Sequence, residues 1–267
     1  MHDSETLTRL GFTTGPTSAH TARTIMLDEL SMLFECVPVD APREAYLDAI
    51  RERNCLGKRS GKTRGLTARH LTELYSLDSA NPIHAGLRYF WERDVESRPL
   101  LALLAATARD SILREMLPTI LKAEPGAVIR RAQMEAAIEQ RWPDRFSAAT
   151  LKSTAQNLNS SLTKSGHLHG RVDKVRQLAE ARPGAAAFAL YLGWLRGERG
   201  ELLLHNEFCR VLDCPPERIL ELASQAAARG WMILRRVDTI IEPGFPALEI
   251  PAEPAEPKAV RTKGARK

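Results

Sequence analysis

The stretch with the clearest chemical character runs from Ser147 to Lys164. Leu151, Ala155, Leu158 and Leu162 recur at helical spacing as one apolar stripe, while Lys152, Gln156, Asn159 and Thr163 fall on the other side with Asn157 and Ser160 beside them. That outer face is polar yet almost uncharged. Its amide, hydroxyl and ammonium groups suit phosphate oxygens and base edges, and no Asp or Glu occurs between Asp144 and Asp173 to repel a nucleic-acid backbone. Arg145, Lys152, Lys164 and Arg171 are the formal charges in that window. Beyond a Ser165-Gly166 stop, His167-Leu168-His169-Gly170-Arg171-Val172 alternates at strand period, with Lys174 close behind.

A second concentration of charge lies at residues 51–70, where Arg51, Arg53, Lys58, Arg59, Lys62, Arg64 and Arg69 face one acid, Glu52. Gly57, Gly61 and Gly65 make this segment read as a flexible connector whose amides and cations can meet phosphates. Gly57-Lys-Arg-Ser-Gly61-Lys62-Thr63 looks like a phosphate-binding P-loop, but one residue too few separates the glycines. An amphipathic helix, Tyr46 to Arg53, also stands where that motif needs a buried strand, so nucleotide hydrolysis is not expected. His167 and His169 with Cys209 and Cys214 do not reproduce zinc-ligand spacings, and Ser165-Gly166-His167 lacks a nucleophile elbow and an orienting carboxylate. No catalytic residue, metal or cofactor is expected.

The elements that must carry these residues are mostly helices. Pro82, Pro99, Pro118, Pro125, Pro143, Pro183 and the pair Pro215/Pro216 punctuate segments of helical period, so the chain is expected to be mainly α. Residues 1–108 read as an N-terminal helical bundle with helices over Thr17–Phe34, Pro42–Arg53, Thr67–Leu77 and His84–Leu104. In 109–182, a helix to Lys122, a second from about Ile129 to Arg141, a third opening at Ser147 and a short β-ribbon follow the order of a winged helix-turn-helix. Residues 183–245 carry a fainter copy: helices over 185–196, 202–212 and 215–230, then strands from Trp231 and Thr239 flanking Val237-Asp238. Glu217 and Glu221 on its third helix oppose DNA contact, which points to structural use or self-association, with Arg229, Arg235 and Arg236 as lesser candidates for phosphate. Residues 246–267, with Pro251, Pro254 and Pro257 among Ala and Glu, read as a disordered Pro-rich basic tail.

Composition limits the partners. The net charge of +5 matches the five cations, Lys258, Arg261, Lys263, Arg266 and Lys267, of an acid-free last ten residues, leaving the rest formally neutral. Nucleic-acid binding by the body must therefore rest on local patches. The apolar run Gly184–Leu195 is bounded by Arg182 and Arg196 and is too short to span a bilayer, so no membrane partner is expected. With His2, Asp3 and Glu5 at the start there is no secretory pattern, and four cysteines without a CxxC pair fit reduced thiols and a cytoplasmic location.

Three groups of residues carry a likeness: Ile50-Arg-Glu-Arg-Asn-Cys-Leu-Gly-Lys-Arg-Ser60 followed by Thr63-Arg64; Ala108-Arg-Asp110 with Leu113-Arg114; and Ser160-Ser-Leu-Thr-Lys-Ser-Gly-His-Leu168 with Gly170-Arg171 and Lys174. Spread over about residues 10–245, they resemble the BrxA-like proteins of bacterial BREX phage-defence systems, though the Pro-rich basic tail has no counterpart there. The resemblance implies a mainly helical fold with helix-turn-helix elements and double-stranded DNA as ligand. It also implies work beside an ATPase, a DNA methyltransferase and a phosphatase-like component. The combined expectation is a non-enzymatic, duplex-DNA-binding accessory component of an anti-phage defence system. Its DNA contacts would be Lys58, Arg59, Lys62 and Arg64 in the basic segment, and Arg145, Lys152, Gln156, Asn159, Ser160, Thr163, Lys164, His169, Arg171 and Lys174 around the Ser147 helix. The alternatives are a protein–protein assembly adaptor of the defence complex and a transcriptional regulator of its locus.

Overall fold

A computed structural model describes residues 2–237 and 240–248. Helices dominate, with two small antiparallel sheets. The first half is built from α1 (Ser4–Arg9), α2 (Leu27–Cys36), α3 (Arg43–Arg51), α4 (Gly61–Tyr75), α5 (Pro82–Arg93) and α6 (Arg98–Arg109). Local chemistry sets several starts: the Ser60 hydroxyl accepts the Thr63 N–H at 3.2 Å to open α4, and Asn81 accepts the His84 N–H at 3.1 Å with Pro82 in the first turn of α5. Helix α6 is buried along its whole Leu100–Ala108 run, because α4, α5 and α7 (Ser111–Leu121) all pack on it.

Three expectations change here. The single helix expected over His84–Leu104 is two, α5 and α6, parted by a 3-10 turn at Val95–Ser97. Thr17–Phe34 is not one helix: a 3-10 turn at Ala19–Thr21 is followed by irregular chain with Met26 left-handed at φ +48°, and α2 begins only at Leu27. Side chains from elsewhere hold that arm open, since Ser161 Oγ accepts the Ile25 N–H at 3.0 Å and the Tyr75 hydroxyl donates to the Ile25 carbonyl. Tertiary partners thus override a helical period. Likewise the basic segment is not a flexible connector, because Gly61 and Gly65 lie inside α4.

The second half continues with β1 (Val128–Ile129), α8 (Arg131–Arg141), α9 (Ala148–Lys164), β2 (Leu168–His169) and β3 (Lys174–Arg176). Ile129, expected to open a helix, instead pairs with Lys174 in a strand whose other residue, Val128, pairs with Val175, and β3 also pairs with β2, giving the order β1-β3-β2. Helix α10 (Pro183–Leu195) is apolar on nearly every side and contacts α5, α6, α11 (Glu207–Val211) and α12 (Pro216–Ala228). Strands β4 (Ile233–Val237) and β5 (Ile240–Gly244) form an antiparallel ribbon; of the turn expected at Val237-Asp238, Val237 instead ends β4 and pairs with Ile240, and Asp238 lies outside the described residues. Buried apolar side chains form one continuous cluster from Leu10 to Leu248, so the core has no break at 108 or 182 and extends past 245.

Close approach of α5 to α10 depends on Gly86, where an added Cβ would stand 2.5 Å from Tyr191 Cε1. Gly86→Ala should destabilise the fold by about 1–3 kcal/mol through overpacking; a urea midpoint equal to wild type would contradict this contact.

Buried histidines make stability depend on pH. His84 sits in the core with Nδ1 donating to the Tyr75 carbonyl at 2.8 Å and Nε2 accepting from the Tyr46 hydroxyl at 3.2 Å. Burial, helped by the nearby Arg88 and Arg109, lowers its pKa to about 3 against the Tyr75 hydrogen bond, and burial lowers His167 in the same direction. A depressed histidine contributes stability that is whole above its ordinary pKa near 6.5 and is lost as pH falls toward its folded value. Moving from pH 7.5 to 5.5 should therefore cost about 1.4 kcal/mol from His84 alone. Urea titrations should show that loss in wild type and a loss smaller by that amount in His84→Gln; equal losses in the two proteins would remove His84 as a source.

Candidate nucleic-acid interface

Helix α9 is fixed on three sides. Ser147 caps it by accepting the Thr150 N–H at 3.2 Å, and Ala155, Leu158 and Leu162 are buried as the apolar stripe predicts. The turn from α8 is held by Trp142 and Phe146, edge to face at 6.4 Å; the Arg145 guanidinium lies 5.1 Å from the Phe146 ring centre and donates to the Pro16 carbonyl at 2.8 Å. One flank is covered by the N-terminal arm: Ser153 Oγ donates to the Thr21 carbonyl at 3.1 Å and Asn157 Nδ2 to the His20 carbonyl at 2.9 Å. What stays exposed is the first half of the helix, Ala148, Ala149, Lys152 and Gln156.

The hairpin beside it is anchored by buried Leu168 and Arg176. Arg176 makes two 2.6 Å contacts to the Asp213 carboxylate and donates to the Ile120 carbonyl at 3.1 Å. Its tip, His169 to Asp173, is exposed, with Val172 at 88%. Gly170 adopts φ +96° and an added Cβ would fall 2.1 Å from the Asp173 carbonyl oxygen, so the loop tolerates only glycine there. Lys174 Nζ donates across the loop to the Gly170 carbonyl at 2.7 Å.

Of the residues singled out by sequence, Arg145, Lys152, Gln156, His169 and Arg171 are exposed, while Ser160, Thr163, Lys164 and Lys174 are half-buried. The Thr163 hydroxyl is turned to the Asn159 carbonyl at 2.8 Å, and Lys164 is ion-paired with Asp28. Asn159 corrects the stripe: it is buried, not outward, and its Oδ1 has no hydrogen-bond partner. A stripe assumes one packing neighbour, whereas α9 packs on α8, α6, β2 and the arm together.

In the basic segment, Arg59 and Lys62 are exposed, and Arg64 is half-buried with its Nε unpartnered. Lys58 is paired with Glu29 at 3.0 Å. The adjacent acids Asp28 and Glu29 thus hold Lys164 of α9 and Lys58 of the basic segment, which brings the two sequence-predicted regions to one helix end, with those two charges neutralised. On α12, Glu217 and Glu221 are exposed, and Glu221 pairs with Arg218 at 2.8 Å.

Sequence reasoning missed a polar cluster assembled from three distant segments. The Asp110 carboxylate, N-cap of α7, accepts the Leu113 N–H at 2.9 Å, the Ala19 N–H at 2.8 Å and the Ser18 hydroxyl at 2.7 Å. It also accepts His20 Nδ1–H at 2.8 Å, and His20 Nε2 lies 3.0 Å from Ser161 Oγ. Acid, imidazole and hydroxyl in this order resemble a nucleophilic triad, but all three side chains are buried. The Ser161 hydroxyl is also committed, donating to the Asn157 carbonyl at 2.8 Å while accepting the Ile25 N–H. The cluster is a clamp that locks the arm between α7 and α9. Burial alone would raise the Asp110 carboxyl, yet His20 and the hydrogen bonds hold it below its ordinary value of 3.8. Its one sequence signal was Asp110 three residues before Leu113, an N-cap spacing.

Among the described residues, no group of three or more His, Cys, Asp or Glu is placed to hold a metal ion, and no helix is long and apolar enough to cross a membrane. No protein-family model matches the chain, and no curated protein matches it.

Proposed function

We propose that residues 111–176 form a winged helix-turn-helix that binds duplex DNA without catalysing a reaction. The observation that carries this reading is the exposed, acid-free first half of α9 standing on a turn from α8, with Arg171 exposed at the hairpin tip of the same unit. The order α7, β1, α8, α9, β2, β3, with β1 joining the hairpin as a third strand, supports it. In this reading Lys152 and Gln156 enter the major groove, and Arg145 and Arg171 hold phosphates on either side. No arginine lies on α9 for bidentate contact to guanine, so affinity is mainly electrostatic and sequence preference weak. Lys62 in the first turn of α4 and Arg59 just before it add phosphate contacts. By its resemblance to BrxA-like proteins, the chain serves as an accessory component of a BREX-type anti-phage system, beside an ATPase, a DNA methyltransferase and a phosphatase-like component.

Fluorescence anisotropy of a labelled duplex tests the reading. With three to four phosphates neutralised by the body, log affinity should fall linearly with log salt at a slope of at least about −3. An affinity that does not respond to salt, or no binding at low salt, would refute it.

A further inference from the structure

A large groove lies away from α9 and the hairpin tip. It encloses about 790 Å³ between α7, α11 and the Cys214–Pro215 turn. Leu117, Pro118, Leu121 and Pro215 give it an apolar lining, and Leu178, 60% exposed, forms a lip. Pro118 has no N–H for the Arg114 carbonyl, so α7 carries a backbone acceptor without its helical donor where it walls the groove.

Charge around the groove is one-sided. Its two carboxylates are engaged: Asp213 is bound by Arg176 at 2.6 Å, and Glu207 is paired with Arg196. Arg114, Lys122 and Arg210 line the same groove, and none of them has an ion-pair partner among the described residues; Arg114 donates only to the Ala108 and Thr13 carbonyls, at 3.4 and 3.1 Å. A cationic rim around an apolar floor matches a ligand that has carboxylates on one face and aliphatic side chains on the other. A phosphodiester backbone has nothing to fill the floor.

We infer that this groove docks an acidic amphipathic helix of a partner protein, with apolar anchors on Leu117 and Leu121 and carboxylates against Lys122 and Arg210. Such helix-in-groove recognition takes anchors spaced i, i+3, i+4 and i+7. The inference does not rest on DNA binding, and the test contains no DNA, so the two readings fail separately.

The probe is a fluorescein-labelled peptide of four helical turns with leucines at i, i+3, i+4 and i+7 and glutamates elsewhere, titrated with the full chain. Saturable binding is expected, together with no binding of the same leucine pattern carried on lysines. The exposed pair Lys122→Glu and Arg210→Glu should weaken binding at least about tenfold, as rim charges facing like charges do, and Leu178→Asp should also weaken it. Arg59→Glu with Lys62→Glu, just before α4 and in its first turn, should leave it unchanged. Circular dichroism melts of the surface variants should match wild type. Equal binding by the groove variants or by the lysine peptide would overturn the inference, and so would failure of the acidic peptide to saturate. Occupation of the groove by laurate alone would reassign it to small anionic amphiphiles. A dimer that the groove substitutions dissolve would reassign it to self-association.

Discussion

Lys152→Glu combined with Arg171→Glu abolishes duplex binding and leaves the fold intact. Both side chains are exposed and neither has an ion-pair partner among the described residues, so their replacement disturbs no packing. Lys152 stands on the open half of α9 and Arg171 at the hairpin tip, and a carboxylate at either place repels phosphate where a cation attracted it. Arg171 is the phosphate contact of the pair, so any residual binding at low salt should have a salt slope smaller in magnitude by about one. Asn159→Ala is the matched control. On the sequence stripe it belongs to the binding face, yet in the fold it is buried, so its duplex affinity should equal wild type. A double variant that binds with an unchanged slope, or an Asn159→Ala that loses binding while folded, would sink this assignment of the face.

Asp110→Ala should be the most destabilising single substitution in the clamp, by about 3–5 kcal/mol. It removes the acceptor for His20, Ser18, Ala19 and Leu113 at once, inside the protein, leaving those donors unpaired. Ser161→Ala, which deprives Ile25 and His20 of one partner, should cost less, about 1–3 kcal/mol. Because the folded Asp110 carboxyl is held below 3.8, the stability it contributes is present above that pH and is lost as pH falls through its folded value. Urea unfolding at neutral pH decides the matter: a loss under about 1 kcal/mol for Asp110→Ala would show that the cluster does not hold the arm to α9.

The elements that could be read from sequence were those governed by local chemistry. Ser147 as a cap, the Ala155–Leu158–Leu162 stripe and the sequential order of α7, α8, α9 and hairpin follow from period and punctuation, and the structure contains each of them. Misread elements were those settled by partners far along the chain. Residues 22–26 have a helical period, but Ser161 and Tyr75 bind Ile25 and keep it out of a helix. Gly61 and Gly65 suggested a loop, yet the Ser60 cap and the packing of α4 against α3 and α6 make a helix there. Asn159 could not be placed because one apolar stripe reveals one contact face, and α9 has several. The His20–Asp110–Ser161 clamp joins residues about 90 and 140 positions apart in the chain, a proximity that no spacing rule can supply.

Duplex binding by a chain ending at Leu248, followed over a salt titration and set against the full chain, bears most directly on whether the folded body binds DNA. Leu248 is buried, so that end point keeps the core, while the cut removes the five cations of the last ten residues. Retained binding, with log affinity linear in log salt and a slope shallower than that of the full chain by no more than about five, is the predicted result. Loss of all duplex binding at low salt by this folded, shortened chain would contradict it and leave the affinity to the removed residues alone.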